Sequence, residues 1–232
     1  MLRRFLLVRH GQSIWNKDSK FTGWTNIPLT EKGREEAATV AKTLVSRQLV
    51  PNIVFSSVLD RAIETSAIIK HHLGMHDMPV HTSWRLNEKH YGTLEGIPRK
   101  YIRDTYGDIF TRLMRSDFYM KPPILAEDTL AKSGYPIYRN CYFETIQNGE
   151  SKENVLHRLL PYYENDIVYP IYHENRFPLI VTHKHTARVL MKHLLRINDA
   201  AFEKYDLPSN KILCVSLDEN QVYSGHEEIA YE

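Results

Sequence analysis

Four consecutive apolar residues, Phe5 to Val8, are followed at once by Arg9, His10 and Gly11. A short apolar run bounded by polar residues is typical of a buried strand. Open α/β sheets bind ligands just beyond the carboxyl ends of their strands, so these three residues occupy a ligand position. Arg9 supplies a permanently charged, planar donor suited to phosphate, and His10 supplies an imidazole that is neutral near physiological pH. The pattern predicts a site that receives a phosphoryl group.

A second histidine has the same placement, because His183 directly follows the apolar run 177–182. If the two strands are neighbours, the imidazoles converge over one pocket, with Arg9, Arg61 and Arg115 as candidate phosphate ligands. Phosphoryl transfer depends mainly on positioning and charge stabilisation, so clustered histidines and arginines suffice without a metal. A single histidine after a strand is more commonly a polar loop residue. The repeated placement and the Arg-His-Gly context favour the functional interpretation.

The rest of the chain alternates apolar runs with helical patterns. Further strands are predicted at 53–57, 79–81 and 212–217, and helices after Thr30 and at 58–73, 153–167 and 186–195. This alternation predicts an α/β three-layer sandwich with a mainly parallel central sheet, covered by helices on both faces. We expect residues 1–232 to form a single domain. Residues 99–150 are predicted to make an excursion from the sheet that covers part of the active site.

Composition narrows the function classes. The formal net charge of +2 does not favour a nucleic-acid partner. Two cysteines, Cys141 and Cys214, provide neither a disulfide framework nor metal-ligand spacing. No apolar stretch approaches the roughly 18 residues of a membrane span. We therefore expect a soluble cytoplasmic protein that binds neither membrane nor nucleic acid.

Longer motifs carry a family resemblance. The run Leu7-Val8-Arg9-His10-Gly11-Gln12-Ser13 with Trp15-Asn16 resembles the signature of the histidine phosphatase superfamily. Three further runs resemble the bisphosphoglycerate-dependent phosphoglycerate mutases, namely Phe21-Thr22-Gly23-Trp24, Pro28-Leu29-Thr30 and Trp84-Arg85-Leu86-Asn87-Glu88-Lys89-His90-Tyr91-Gly92. The similarity extends from about residue 6 to residue 218 and implies the phosphoglycerate mutase-like fold.

The resemblance implies roles for matching residues. His10 is the histidine that becomes phosphorylated, His183 helps to hold the transferring phosphoryl group, and Arg9 and Arg61 bind phosphate. Glu88 is the general acid/base for the substrate hydroxyl, and an enclosed carboxyl is expected to have a raised pKa. The alternative is a solvated loop carboxylate that pairs with Lys89. Further residues are expected to line the pocket or contact the substrate: Ser13, Asn16, Thr22, Gly23, Tyr91, Arg99, Arg115 and Lys184.

The implied reaction is the interconversion of 3-phosphoglycerate and 2-phosphoglycerate in glycolysis and gluconeogenesis, a ping-pong-like isomerase reaction. Phosphohistidine at His10, primed by 2,3-bisphosphoglycerate, donates to one hydroxyl of the substrate, and the bisphosphorylated intermediate returns its other phosphate. The partners are small phosphorylated three-carbon acids, and a homodimer or homotetramer is expected. No metal is expected, because His183 and His185 lack a matching carboxylate or cysteine pattern.

Several positions depart from the mutase pattern. Gln12 replaces a glutamate, Lys184-His185 replace Gly-Asn, and Ser116 replaces an arginine, while the chain stops at Glu232 where mutases carry a longer tail. Lys184 is expected either to block the approach of the backbone to phosphate or to add a cation. A site that closes poorly admits water, which competes for the phosphohistidine. Three hypotheses follow: a mutase, a phosphatase that uses the same phosphohistidine, and a catalytically weak homologue with a binding or regulatory role.

Overall fold

A computed structural model describes residues 3–123, 149–208 and 210–231 of the chain. Within these residues the strands form a central six-stranded sheet. The strands are β1 (Arg3–Arg9), β2 (Ile53–Ser56), β3 (Val80–Thr82), β4 (Pro178–Thr182), β5 (Lys211–Leu217) and β6 (Tyr223–Ala230). Their spatial order is β3-β2-β4-β1-β5-β6.

Most of the sheet is parallel. Strand β4 lies between β1 and β2 and is parallel to both, and β3 is parallel to β2. Strand β5 is antiparallel to both β1 and β6, so it is the strand that reverses direction. The prediction of a mainly parallel sheet is confirmed.

Helices pack on both faces of the sheet. They are α1 (Ile14–Lys17), α2 (Glu31–Ser46), α3 (Asp60–His72), α4 (Arg99–Ser116), α5 (Lys152–Tyr162), α6 (Tyr169–His173), α7 (Lys184–Leu194) and α8 (Asp199–Lys204). Successive residues of a strand point to opposite faces, so Leu6 and Val8 pack with the buried residues of α2 and α3. Phe5 and Leu7 pack instead with α5 and α7. The predicted three-layer sandwich is confirmed.

Several element boundaries differ from the prediction. Helix α5 continues through a π-helical turn, Tyr163–Val168, into α6, so the helical segment extends past residue 167. Pro161 lies inside this segment and lacks the N–H for an intrahelical bond. Helix α7 begins at Lys184, two residues before the predicted start. Strand β6 and helix α8 were not predicted, because β6 is an edge strand with a largely polar sequence and α8 has only six residues.

Part of the predicted excursion lies outside the described residues. Residues 99–116 form α4, which bends at Gly107, where φ is +87°. Residues 124–148, including Cys141, lie outside the described part, while Cys214 is buried and unpaired. The single-domain organisation, the covering role of 99–150 and the association into dimers or tetramers stay predictions. No helix within residues 3–123, 149–208 and 210–231 is long and apolar enough to cross a membrane.

Candidate active site

Three polar residues meet at the carboxyl ends of the adjacent strands β1, β4 and β2. The backbone N–H of His10 donates to the carbonyl of Thr182 at 2.9 Å, which extends the β1–β4 ladder. The ring centroids of His10 and His183 are 4.8 Å apart, and Ser57 Oγ lies 2.7 Å from His183 Nε2. The predicted convergence of the two imidazoles is confirmed.

His10 has the tautomer and the charge that a nucleophile requires. Its Nδ1 lies 2.6 Å from the carbonyl oxygen of Gly11, and a carbonyl can only accept, so Nδ1 carries the proton and Nε2 keeps a lone pair. Burial, followed by the positive charges of Arg61 and Arg9, holds the pKa of His10 well below its usual value. The imidazole is therefore neutral at physiological pH and able to attack phosphorus.

The loop after His10 is held by close backbone packing. The N–H of Gly11 donates to Thr65 Oγ1 at 3.1 Å, and a Cβ at Gly11 would lie only 2.1 Å from the carbonyl oxygen of Gly33 in α2. Thr30, the N-cap of α2, also donates its hydroxyl to the Gln12 side chain at 3.0 Å. A glycine is needed here because the loop and the first turn of α2 touch through their backbones.

The predicted phosphate-binding arginines surround His10. Arg61, in the first turn of α3, donates to the carbonyls of Thr25 at 3.0 Å and Gly23 at 2.7 Å. Arg9 donates to Asn16 Oδ1 at 3.0 Å. These contacts hold two guanidinium groups beside a neutral imidazole, an arrangement suited to a phosphoryl group that carries charge on several oxygens.

Most predicted site residues line one cavity of about 380 Å³. They are Arg9, His10, Asn16, Thr22, Gly23, Arg61, Glu88, Tyr91, Arg99, Arg115 and Lys184. His183 is fully buried and contacts the cavity residue His10. Ser13, which was expected to line the pocket, is also fully buried; its hydroxyl caps α1 by accepting the N–H of Asn16 at 3.3 Å. Ser13 therefore shapes the loop that carries Asn16, and its contact with a ligand stays a prediction.

Glu88 is enclosed, but its charge state differs from the expectation. Its Oε1 accepts the backbone N–H groups of Lys89 at 2.8 Å and His185 at 3.2 Å, and His185 Nδ1 lies 3.4 Å away. Burial alone raises the pKa of Glu88, but His185, the Lys89 N–H and Arg61 together lower it well below its usual value. The expectation of a raised pKa was wrong, because these donors stabilise the carboxylate more than burial destabilises it.

The alternative interpretation of Glu88 was also wrong. Only 8% of Glu88 is exposed, and Lys89 turns away from it, donating its Nζ to the carbonyls of Met114 at 3.0 Å and Met120 at 3.1 Å. Glu88 is therefore a cavity carboxylate, and Lys89 joins its loop to the end of α4.

Lys184 lines the cavity, but Asp206 holds its ammonium group at 2.9 Å. Lys184 is the first residue of α7. It therefore occupies the position at which it was expected to block the approach of the backbone to phosphate. The salt bridge places its charge at the edge of the cavity, next to a surface carboxylate.

Sequence reasoning missed Glu95, which joins two loops of the site. Its carboxylate accepts the backbone N–H groups of Trp24 at 3.0 Å, Thr25 at 2.9 Å and Tyr91 at 3.0 Å. A Cβ at Gly23, where φ is +55°, would lie 1.9 Å from Glu95 Oε1. Glu95 comes four residues after Tyr91, but the sequence does not show that it pairs with the distant 22–25 loop.

A buried ion pair behind the cavity was also missed. Arg158 Nε lies 2.6 Å from Glu150 Oε1, and Arg158 donates to the carbonyl of Glu88 at 3.0 Å. The indole N–H of Trp24 donates to the same carbonyl at 2.6 Å. The backbone of Glu88 is therefore held from two sides.

His185 is a further cavity residue that was not assigned to the site. The sequence marked it as a departure from an expected asparagine and, with His183, as a metal pair that lacks further ligands. Among the described residues no group of three or more histidine, cysteine, aspartate or glutamate side chains could hold a metal ion. A metal-free reaction stays a prediction.

Comparison with known sequences agrees with this site. Residues 5–133 match the family model of the histidine phosphatase superfamily (branch 1). A 2,3-bisphosphoglycerate-dependent phosphoglycerate mutase of Haemophilus influenzae (strain PittGG) is 35% identical over 222 residues, which cover 95% of this chain and 97% of that protein. The enzyme of the same description from Bifidobacterium longum (strain DJO10A) is 37% identical over 221 residues, covering 95% and 88%.

Solved structures, a phosphatase among them, show the same fold. A mycobacterial glucosyl-3-phosphoglycerate phosphatase in complex with VO3 has a TM-score of 0.74 at 23% identity, covering 99% of this chain and 100% of that one. Bacillus stearothermophilus YhfR has a TM-score of 0.70 at 25% identity, covering 99% and 96%. The solved structures show the fold, and the sequence matches show that the chain belongs to the histidine phosphatase superfamily and, within it, to the family of the 2,3-bisphosphoglycerate-dependent phosphoglycerate mutases.

Proposed function

We propose that the protein interconverts 3-phosphoglycerate and 2-phosphoglycerate through phosphohistidine at His10, primed by 2,3-bisphosphoglycerate. The observation that carries the proposal is a neutral His10, flanked by Arg9 and Arg61, in a cavity that also carries Arg99 and Arg115. A three-carbon acid with a phosphate and a carboxylate has two anionic groups, and the cavity supplies a pair of guanidinium groups for each.

The reaction begins when His10 Nε2 attacks a phosphate of 2,3-bisphosphoglycerate. The bond between phosphorus and the substrate oxygen breaks, and that oxygen gains a proton. In the second half, the hydroxyl of a monophosphoglycerate attacks the phosphohistidine and loses its proton. Arg9 and Arg61 stabilise the negative charge on the phosphoryl oxygens, and the ionised Glu88 serves the proton step as the base itself or as the partner of a base.

Reorientation of the bisphosphorylated intermediate distinguishes a mutase from a phosphatase. The intermediate must stay bound while its two phosphates exchange places. One anionic end of the intermediate can bind to Arg9 and Arg61, and the other end to Arg99 and Arg115. Binding at both ends favours retention of the intermediate in the cavity. All groups required for transfer are present, which disfavours the hypothesis of a catalytically weak binding protein.

A phosphatase is the second candidate, and two observations favour it. Asp206 holds the ammonium group of Lys184 at 2.9 Å, which leaves less of its charge for the substrate. Ser116 replaces an arginine of the mutase pattern, which removes one contact to the acidic end of the substrate. Weaker retention lets water, rather than a second hydroxyl, accept the phosphoryl group.

The test is incubation of the pure protein with 3-phosphoglycerate and a trace of 2,3-bisphosphoglycerate. Both 2-phosphoglycerate and free phosphate are followed, with His10→Ala as the control that keeps the fold but cannot form phosphohistidine. We expect 2-phosphoglycerate to form without an equal release of phosphate. Dominant phosphate release would establish the phosphatase, and neither product from folded protein would support the non-catalytic hypothesis. Phosphate label that persists in His10→Ala would refute the role of His10.

A further inference from the structure

We propose that His185 is a second proton-transfer residue of this site, which exchanges the substrate hydroxyl proton at Nε2 while the Glu88 carboxylate holds its Nδ1–H. The proposal rests on the proposed phosphoryl transfer at His10 and assigns its acid/base step. His185 stands where the mutase pattern has asparagine, an uncharged residue that cannot take up a proton. The proton-transfer step in this chain thus uses a group that the family pattern lacks.

The contacts between His185 and Glu88 define the dyad. His185 lies in the first turn of α7, is buried, and lines the same cavity as Glu88 and His10. Its Nδ1 is 3.4 Å from Glu88 Oε1, and its backbone N–H donates to the same oxygen at 3.2 Å. The backbone hydrogen bond therefore holds the carboxylate beside the ring, and the Nδ1 edge of the ring faces it at 3.4 Å.

The partner atoms decide which ring nitrogen is free. A carboxylate only accepts hydrogen bonds, so the neutral imidazole carries its proton at Nδ1 and keeps the lone pair at Nε2. The hydroxyl of Tyr91 lies 3.4 Å from Nε2 and 3.5 Å from Nδ1, and of these two nitrogens it can donate only to the unprotonated Nε2. Tyr91 stays protonated, since burial and then Glu88 raise its pKa beyond its usual range. The arrangement follows the logic of a base that is oriented by a carboxylate.

The charge states agree with this assignment. Burial lowers the pKa of His185 to about 4, while Glu88 acts in the opposite direction, so His185 is a free base at neutral pH. Arg188 on α7 also lowers its pKa, as does Lys152 on α5 when it is protonated. When Nε2 gains a proton, the new imidazolium faces the ionised Glu88, which stabilises it.

The proton balance is complete over one catalytic cycle that starts from phosphorylated His10 and a monophosphoglycerate. In the priming transfer from 2,3-bisphosphoglycerate, His185 Nε2 first takes its proton from water. As the substrate oxygen attacks phosphorus, its O–H bond breaks and the proton moves to His185 Nε2. As a phosphate is transferred to His10, the bond between phosphorus and the substrate oxygen breaks, and the imidazolium returns its proton to that oxygen. Glu88 remains a carboxylate throughout and keeps its hydrogen bonds from the backbone.

Two phosphate esters with different leaving groups distinguish a proton-transfer role of His185 from a structural role. Nitrophenolate leaves without protonation, whereas the alkoxide of 3-phosphoglycerate needs a proton. We expect His185→Asn, compared with the wild type, to transfer phosphate from p-nitrophenyl phosphate to His10 at a similar rate. Transfer from 2,3-bisphosphoglycerate should fall about 10²-fold, within the usual contribution of general acid/base catalysis. His193→Asn, at the exposed far end of α7, is the matched control and should change neither rate.

Two results would overturn the proposal: equal loss with both phosphate esters, which indicates a packing role, or retention of both activities. A second measurement needs no turnover. In ¹⁵N spectra of the imidazole rings at neutral pH, His185 should carry its proton at Nδ1 and lose this preference in Glu88→Gln. A wild-type His185 protonated at Nε2 would refute the dyad. Absence of labelled His10 with either ester would refute the proposed function instead, and the spectra would still decide the dyad.

Discussion

Arg158→Met tests whether the ion pair behind the cavity sets both stability and the position of Glu88. Arg158 and Glu150 have 3% and 1% of their side chains exposed. The guanidinium also donates to the carbonyls of Arg85 at 2.6 Å, Asn87 at 2.9 Å and Glu88 at 3.0 Å. Methionine has a similar length but donates no hydrogen bond, so the substitution removes all of these contacts and leaves the Glu150 carboxylate buried without its cation.

The expected magnitude follows from that buried charge. Removing one partner of a buried ion pair costs about 3–5 kcal/mol, and in a chain of this size each kcal/mol lowers the melting temperature by about 2–4 °C. We therefore expect a decrease of about 6–20 °C. The double variant Arg158→Met/Glu150→Gln removes the buried charge as well, and the amide oxygen that it introduces can still accept the His90 N–H, which Glu150 accepts at 2.9 Å. It should recover part of the lost stability.

Thermal unfolding measures the loss of stability. Phosphoryl transfer from 2,3-bisphosphoglycerate by the folded variant measures the effect of a displaced Glu88. Because Arg158 holds the Glu88 carbonyl, we expect the transfer rate to fall about 10²-fold, the effect of a displacement of about 1 Å. The control is Lys100→Met, which breaks an exposed ion pair with Asp104 and should leave the melting temperature unchanged. A melting temperature of Arg158→Met within about 2 °C of the wild type would refute the reasoning.

Two further predictions concern the loop after β1 and the neutral histidines. Gly11→Ala should lower the free energy of unfolding by about 1–3 kcal/mol and suppress phosphohistidine formation, because its Cβ would lie 2.1 Å from the Gly33 carbonyl oxygen; unchanged urea unfolding would contradict this. Burial lowers the pKa values of His10 and His183 well below 6.5, so the unfolded chain binds more protons below that pH. The stability from each neutral histidine is present above pH 6.5 and is lost at about 1.4 kcal/mol per pH unit as the pH falls. Urea titrations at pH 7.5, 6.5 and 5.5 should show this loss, with a smaller slope in His183→Asn, and a rise in stability toward pH 5.5 would be inconsistent with it.

The fold could be predicted where the sequence pattern follows directly from burial. Strands β1 and β4 are buried on both faces, so they read as continuous apolar runs that end at His10 and His183. Within the described residues strand β6 pairs on one side only, and its sequence is largely polar, so it resembles a loop. The direction of β5 depends on the path of the chain through α8 rather than on its own apolar pattern.

The site could be predicted where one short segment carries the chemistry. Arg9, His10 and Gly11 are consecutive, so their joint placement follows from a single strand end. Glu95 and Arg158 act through contacts 71 and 70 residues away, to Trp24 and Glu88. No local pattern records such pairings, because they arise only when separate loops pack together.

The sequence placed Glu88 correctly in the cavity but predicted the wrong protonation state for its carboxyl group. Enclosure alone favours the neutral acid, and that was the only influence visible in the sequence. The folded chain adds two backbone donors and the His185 ring to the same oxygen. One of those donors and the ring come from the residue that replaces asparagine in the mutase pattern. We therefore expect a substitution at position 185 to alter the acid/base chemistry of residue 88, almost a hundred positions earlier, and expect Glu88→Gln and His185→Asn to be non-additive in phosphoryl transfer from alkyl phosphates.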